Sequence, residues 1–165
     1  MFRHLVLILM MAINFIFVFV PSATAQKIYN NIPGIITKVY DGDTLTLQNN
    51  NGIYKIRLAG IDAPESRQAY GNVSRNYLYN MVKDRFVYAE VHNKDRYGRY
   101  VAKIMLDNTD VNAEMLRAGL AWHYKQYDKN PEYARLEQEA KRNRRGLWVE
   151  KNPIPPWIYR KSKKY

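Results

Sequence analysis

Four carboxylates fall within about 25 residues of a basic chain: Asp41 and Asp43 in Val39-Tyr-Asp-Gly-Asp-Thr-Leu-Thr-Leu47, then Asp62 and Glu65 in Ile61-Asp-Ala-Pro-Glu65. Carboxylates this close repel one another unless a cation or arginines sit among them, and an all-oxygen donor set favours Ca²⁺ or Mg²⁺. Arg57 lies mid-strand between apolar Ile56 and Leu58, where a plain core would not want a charge. A second arginine closes the segment Asp95-Arg-Tyr-Gly-Arg99. Guanidinium groups present a planar fork to phosphate oxygens, so Arg57 and Arg99 are the natural pair for gripping a phosphodiester. The blander reading makes both segments turns. Asp41-Gly42 is a hairpin signal, and Gly98 suits the tip of another. Pro64 fixes its own φ and biases Ala63 towards an extended conformation, so the turn carrying Asp62 and Glu65 is stiff.

Several other chemistries are excluded. The chain has no cysteine, which removes a thiol nucleophile and a cysteine-based zinc site. His92 and His123 are isolated and read as surface or structural residues, while His4 lies in the leader described below. An aspartyl-phosphatase pattern needs one residue between the second aspartate and the threonine, but Thr44 follows Asp43 directly. An EF-hand loop needs acids spread over about twelve positions, and Leu45 to Asn51 supplies none.

The elements that must position these residues follow from periodicity. Gly34 to Tyr40, Thr44 to Gln48 and Ile53 to Gly60 read as strands of a meander, the last two joined by a turn at Asn49-Asn-Asn-Gly52. Apolar residues Val73, Tyr77, Leu78, Met81 and Val82 recur at helical spacing and predict an amphipathic helix over 70–83. Strand character returns over Phe86 to Val91 and Tyr100 to Leu106. A second helix is expected from Asp110 to Arg117, capped by Asp110 or Asn112 and stopped at Gly119. A third is expected to open at Asn130-Pro131 and end at Gly146. Three strands, a helix, two strands and trailing helices is the order of a five-stranded OB-fold barrel, so the expected class is α+β, mainly β barrel with helices. The stretch Asn152-Pro-Ile-Pro-Pro-Trp157 reads as an extended tail against the domain, too proline-rich for a helix, with Lys161 to Tyr165 frayed.

The length of 165 residues suits one compact domain. Residues 1–25 read as a signal peptide: Arg3 in a basic start, an apolar run from Leu5 to Val20, and a small-residue site at Ala23-Thr-Ala25. An uncleaved anchor is the alternative. Cleavage leaves no stable membrane span, and the expected product is exported, to a periplasm or beyond the cell. The domain proper is then expected over 26–150, with 151–165 a basic proline-rich tail. A formal net charge of +11 favours a polyanionic partner, with nucleic acid first and lipid or a cell-wall polymer behind it. No feature points to an oligomer, so a monomer is expected.

These motifs together resemble the staphylococcal (thermo)nuclease family. One family signature is D-G-D-T, an apolar pair, a spacer, R-apolar, and D-x-P-E; it is matched by Asp41-Gly-Asp-Thr44, Leu45, Leu47, Arg57-Leu58 and Asp62-Ala-Pro-Glu65. The other, D-[KR]-Y-G-R before a strand, is matched by Asp95-Arg-Tyr-Gly-Arg99. The resemblance covers about residues 34–150. It implies an OB-fold nuclease that cleaves DNA and RNA with Ca²⁺ and leaves 3′-phosphate ends. It also implies an ion held by Asp43, Asp62 and the main-chain carbonyl of Ala63, with catalysis by Arg57, Glu65 and Arg99. Arg96 and Tyr97 would lie near substrate phosphate and base, and Tyr124 or Tyr127 would stack on a base. Ala63 stands where many relatives have threonine, and the segment Ser66-Arg-Gln-Ala69 is shorter than the staphylococcal loop. The competing class is a non-catalytic OB-fold module that binds nucleic acid. It is disfavoured because none of the five catalytic and metal side chains is replaced.

Overall fold

A computed structural model of the chain describes residues 31–163. The expected signal peptide and the last two residues lie outside that range. In chain order the elements are β1 (Ile32–Val39), β2 (Thr44–Asn49), β3 (Gly52–Leu58), β4 (Ile61–Asp62), α1 (Gly71–Val82), β5 (Phe86–Lys94), β6 (Tyr100–Leu106), β7 (Thr109–Asp110), α2 (Val111–Arg117), β8 (Trp122–His123), α3 (Pro131–Arg142), a 3₁₀ turn (Gly146–Val149) and α4 (Pro156–Ser162).

Strands β3, β2, β1, β5 and β6 lie side by side in that order, and β3 pairs in parallel with β6 to close a five-stranded barrel. The class and barrel are those the sequence predicts. Alternation along the strands sends Ile36, Val39, Leu45, Leu47, Ile56, Leu58, Val87, Ala89, Ala102 and Ile104 into one core. In β1 the alternation survives an irregularity between Ile36 and Lys38, which returns Val39 to the inside face. Asn49 and Gly52 pair across the β2–β3 hairpin, and Asn49 Oδ1 accepts from the Asn51 amide at 2.8 Å.

Helix α1 occupies the predicted span and buries Leu78 and Val82 as the periodicity expects, but small residues rather than Val73 and Tyr77 complete its buried face. Gly71, Ser74, Leu78 and Val82 are buried, whereas Val73 and Tyr77 are exposed. The cause is close approach: small residues let the helix touch the Asp41–Asp43 turn. A Cβ on Gly42 would overlap Ser74 Oγ and lie 2.7 Å from Ala63 Cβ. Ser74 Oγ donates to the Leu120 carbonyl at 2.7 Å, so it cannot simply swing away. Gly42→Ala is therefore expected to destabilise the fold by about 1–3 kcal/mol through overpacking. Urea titration checks this, and an unchanged midpoint would refute the contact.

Of the two cap candidates for α2, Asp110 is the cap, accepting from the Ala113 amide at 2.9 Å. Asn112 is instead fully buried, taking the Ile104 amide at 3.1 Å and donating to the carbonyls of Ala59 at 2.8 Å and Ala102 at 3.3 Å. It thereby satisfies backbone groups where β3 and β6 diverge. Asn130 caps α3 through the Glu132 amide, with Pro131 in the first turn, and the helix ends at Arg142, short of the expected Gly146.

The tail differs from expectation. Pro156 opens a helix, because a proline at the first helical position lacks only an N–H that would go unpaired there anyway. Helix α4 then carries Trp157, Tyr159 and Arg160 onto the domain, and Lys161 and Ser162 belong to it. Among the described residues no helix is long and apolar enough to cross a membrane.

Candidate active site

The turn after β1 aims Asp43. The Asp43 amide donates to Asp41 Oδ1 at 3.0 Å, which shapes the turn and gives Asp41 a supporting position. Asp43 itself is only 5% exposed; its Oδ1 accepts from Thr44 Oγ1 at 3.0 Å and its Oδ2 from the Ala63 amide at 2.6 Å. This bond ties the start of β2 to the turn that follows β4. Asp62, in β4, is 1% exposed and is held in place by antiparallel pairing with Trp122 of β8.

Arg57 joins the two acids. Its Nη2 donates to Asp62 Oδ1 at 2.7 Å and lies 3.2 Å from Asp43 Oδ2. Its Nη1 donates to the carbonyls of Leu58 at 2.9 Å and Ile61 at 2.8 Å. A mid-strand arginine that looked misplaced in the sequence is the pin across the β3–β4 turn. Arg99 stands at the margin of the cluster, with Nε on Asp95 Oδ2 at 2.7 Å and Nη1 3.5 Å from Thr44 Oγ1, the hydroxyl that also serves Asp43. Asp95 organises the β5–β6 tip. It accepts from the amides of Tyr97 and Arg99, and although burial pushes its carboxyl up, these bonds and the Arg99 guanidinium outweigh burial and hold it low.

The acids feel one another. Burial, and then the charge of Asp43, pushes the Asp41 carboxyl up to about 6. Asp62 is also raised by burial, with Asp43 adding to the rise and the guanidinium groups of Arg160 and Arg57 opposing it. Such a site gains from added positive charge. Among the described residues no group of three or more His, Cys, Asp or Glu side chains is placed to hold an ion. A donor set here would combine Asp43 and Asp62 with main-chain oxygen, such as the Ala63 carbonyl, and water. Two buried carboxylates under mutual strain and an all-oxygen set fit a hard divalent cation.

The remaining candidates lie around this centre. Arg96 and Tyr97 share the β5–β6 tip, with the Arg96 guanidinium donating to Tyr97 Oη at 2.8 Å and Tyr97 70% exposed. The guanidinium of Arg99 lies 5.6 Å from the same ring. Tyr124 lies close enough to Asp62 that burial, then that charge, raises its phenol. Its ring stacks on Trp157 at 5.5 Å and 3°, so one face is already covered, and Tyr127 meets it edge-on at 4.8 Å. His123 is a buried structural residue bonded through Nε2 to Asp128 Oδ1 at 2.8 Å.

Sequence reasoning missed Arg160. From α4 its Nη1 donates to Glu65 Oε1 at 2.8 Å and Asp62 Oδ1 at 3.2 Å, and its Nη2 to Asp62 Oδ2 at 2.8 Å. It brings Glu65 into the same charge network as Asp62. The one signal available was Pro156 as a helix start, which sets Trp157 and Arg160 three residues apart on one face.

A family model described as staphylococcal nuclease homologue matches residues 55–150, which include Arg57, Asp62, Glu65 and Arg99. The chain belongs to the staphylococcal nuclease family. Among its relatives, an uncharacterized endonuclease of Escherichia coli is 40% identical over 134 residues, covering 81% of this chain and 88% of that protein. Another, from Haemophilus influenzae, is 41% identical over 130 residues, 78% of this chain and 73% of its own. A probable staphylococcal-like nuclease of Oryza sativa subsp. japonica is 46% identical over 111 residues, 67% of this chain but 29% of a longer protein. Family membership makes the chain a nuclease, a hydrolase of phosphodiester bonds in nucleic acid.

Proposed function

We propose that this staphylococcal nuclease family member is an exported, monomeric, Ca²⁺-dependent enzyme that cuts DNA and RNA with low sequence specificity and leaves 3′-phosphate ends. The observation that carries the reading is the convergence of Asp43, Arg57 and Asp62 in one hydrogen-bonded cluster, with Glu65 and Arg99 at its rim. Export is supported by the leader pattern of residues 1–25, and a nucleic-acid substrate by the net charge of +11.

In this reading Asp43, Asp62 and the Ala63 carbonyl would hold the ion, which would supply Lewis-acid charge at the scissile phosphate. Arg57 and Arg99 grip the scissile phosphate from two sides and offset the negative charge that grows as phosphorus becomes five-coordinate. Glu65 orients a water and takes its proton as the water oxygen bonds to phosphorus. The bond to the 5′ oxygen then breaks, that oxygen takes a proton from solvent water, and Glu65 gives its proton back to solvent. Arg96 and Tyr97 extend the grip along the strand, and the free face of Tyr124 takes a base.

The test is to incubate the mature chain with single-stranded DNA, duplex DNA and RNA in Ca²⁺ and in chelator. Cutting of all three that stops in chelator is expected. Binding without cutting in Ca²⁺ would sink the enzyme reading, and cutting in chelator would sink the metal.

A further inference from the structure

Asp62 accepts three guanidinium hydrogen bonds: one from Arg57 on Oδ1, and two from Arg160, one on each oxygen. Three of the carboxylate's roughly four acceptor sites are thus taken, and a divalent ion bound to either oxygen would stand within a few ångströms of the Arg160 guanidinium, like charge against like charge. Arg57 has further anchors in the Leu58 and Ile61 carbonyls. Among the described residues Arg160 is tied only to Asp62 and Glu65, so of the two arginines it is the one with fewer anchors.

The element that carries it is lightly held. In α4 only Pro156 is buried, and the Arg160 side chain is 41% exposed. Its attachments are the Trp157 stack on Tyr124, an edge contact of Trp157 with Trp122 at 5.6 Å, and Tyr159 Oη donating to the Arg67 carbonyl at 3.0 Å. Gln68 Nε2 donates to the Ile154 carbonyl just before the helix. Two of these contacts fall on the short segment after Glu65, so the tail closes over the loop that carries that carboxylate. Few buried contacts and exposed polar bonds mark a segment that opens at low cost.

We propose that Arg160 is a built-in counter-cation that holds Asp62 and Glu65 in the ion-free enzyme and must release Asp62 when the ion binds, which makes α4 a latch on the active site. The proposal rests on the Ca²⁺ reading above. It also accounts for the proline-rich tail, since the sequence from 152 to 160 supplies a rigid approach, an aromatic anchor and a charge.

The experiment is calorimetric titration of Ca²⁺ into the full mature chain without nucleic acid, comparing wild type with Arg160→Gln and Trp157→Ala. Arg160→Gln is expected to bind Ca²⁺ about tenfold more tightly, since the ion no longer displaces a charge-assisted pair. Trp157→Ala, which leaves every acid and arginine in place but weakens the anchor, is expected to shift affinity in the same direction by a smaller factor. In wild type, Ca²⁺ should alter the near-ultraviolet circular dichroism of the Trp157–Tyr124 stack. Affinity that is unchanged or weaker in Arg160→Gln would overturn the latch and leave the Ca²⁺ reading standing, and so would Trp157→Ala without effect. No Ca²⁺ binding by wild type or either variant would remove both.

Discussion

Arg57→Ala is expected to abolish cleavage and to weaken the fold together, because the same guanidinium serves both. In the folded chain it is 14% exposed and spans two nearly buried acids and two carbonyls. Without it Asp43 and Asp62 face each other with less compensation, and the turn between β3 and β4 loses its pin. Removing one partner from such a pair costs about 2–3 kcal/mol once partial exposure and the remaining Arg160 contact are allowed for. That corresponds to a melting temperature lower by roughly 10 °C in a domain of this size. On the proposed mechanism, loss of the Arg57 positive charge beside the scissile phosphate is expected to lower kcat by about 10³-fold on top of this. Thermal melts and steady-state assays on the same preparation check both effects. A variant that melts like wild type would refute the structural role, and one that cuts at a tenth of the wild-type rate would refute the chemical one.

Glu65→Gln separates chemistry from folding. Its side chain is 36% exposed, and among the described residues its one side-chain partner is Arg160. Glutamine keeps the length and still offers a carbonyl oxygen to that guanidinium, so stability should stay within about 0.5 kcal/mol of wild type. It cannot take a proton from water, and kcat is expected to fall by about 10²- to 10⁴-fold with KM little altered. A loss below tenfold would reassign the base; a matching loss of stability would show that Glu65 acts through the fold.

What the sequence disclosed follows from how local each signal is. Alternation and the Asn-Asn turn suffice for the β2–β3 hairpin, since both act over a few residues. The Asp41 to Glu65 pattern is legible because the turn and the strand pair it spans are short and stiff. The buried face of α1 was only partly legible from hydropathy: Leu78 and Val82 follow the periodicity, but Ser74 is small enough to lie against Gly42 and Gly71 lies where a Cβ would overlap the Glu65 carbonyl, and a polarity pattern does not weigh size. Arg160 escaped for a different reason. Its partners lie more than ninety residues earlier, and the prolines before it read as helix breakers when one of them starts a helix. Tyr124 likewise looks free in the sequence, and only the folded tail reveals that Trp157 occupies one face.

The parallel pairing of β3 with β6, which sets Arg57 beside Val101 and Leu58 beside Ala102, has a bearing on when this protein becomes active during its own synthesis. A nascent chain that has emerged only as far as Lys94 holds all four acids and Arg57 but neither Arg99 nor the strand that seals the barrel. Non-local pairings of this kind form late, because the intervening chain must first be ordered. Arg99 therefore joins Asp43, Arg57 and Asp62 only when the barrel closes, and an unfinished chain carries an incomplete cluster.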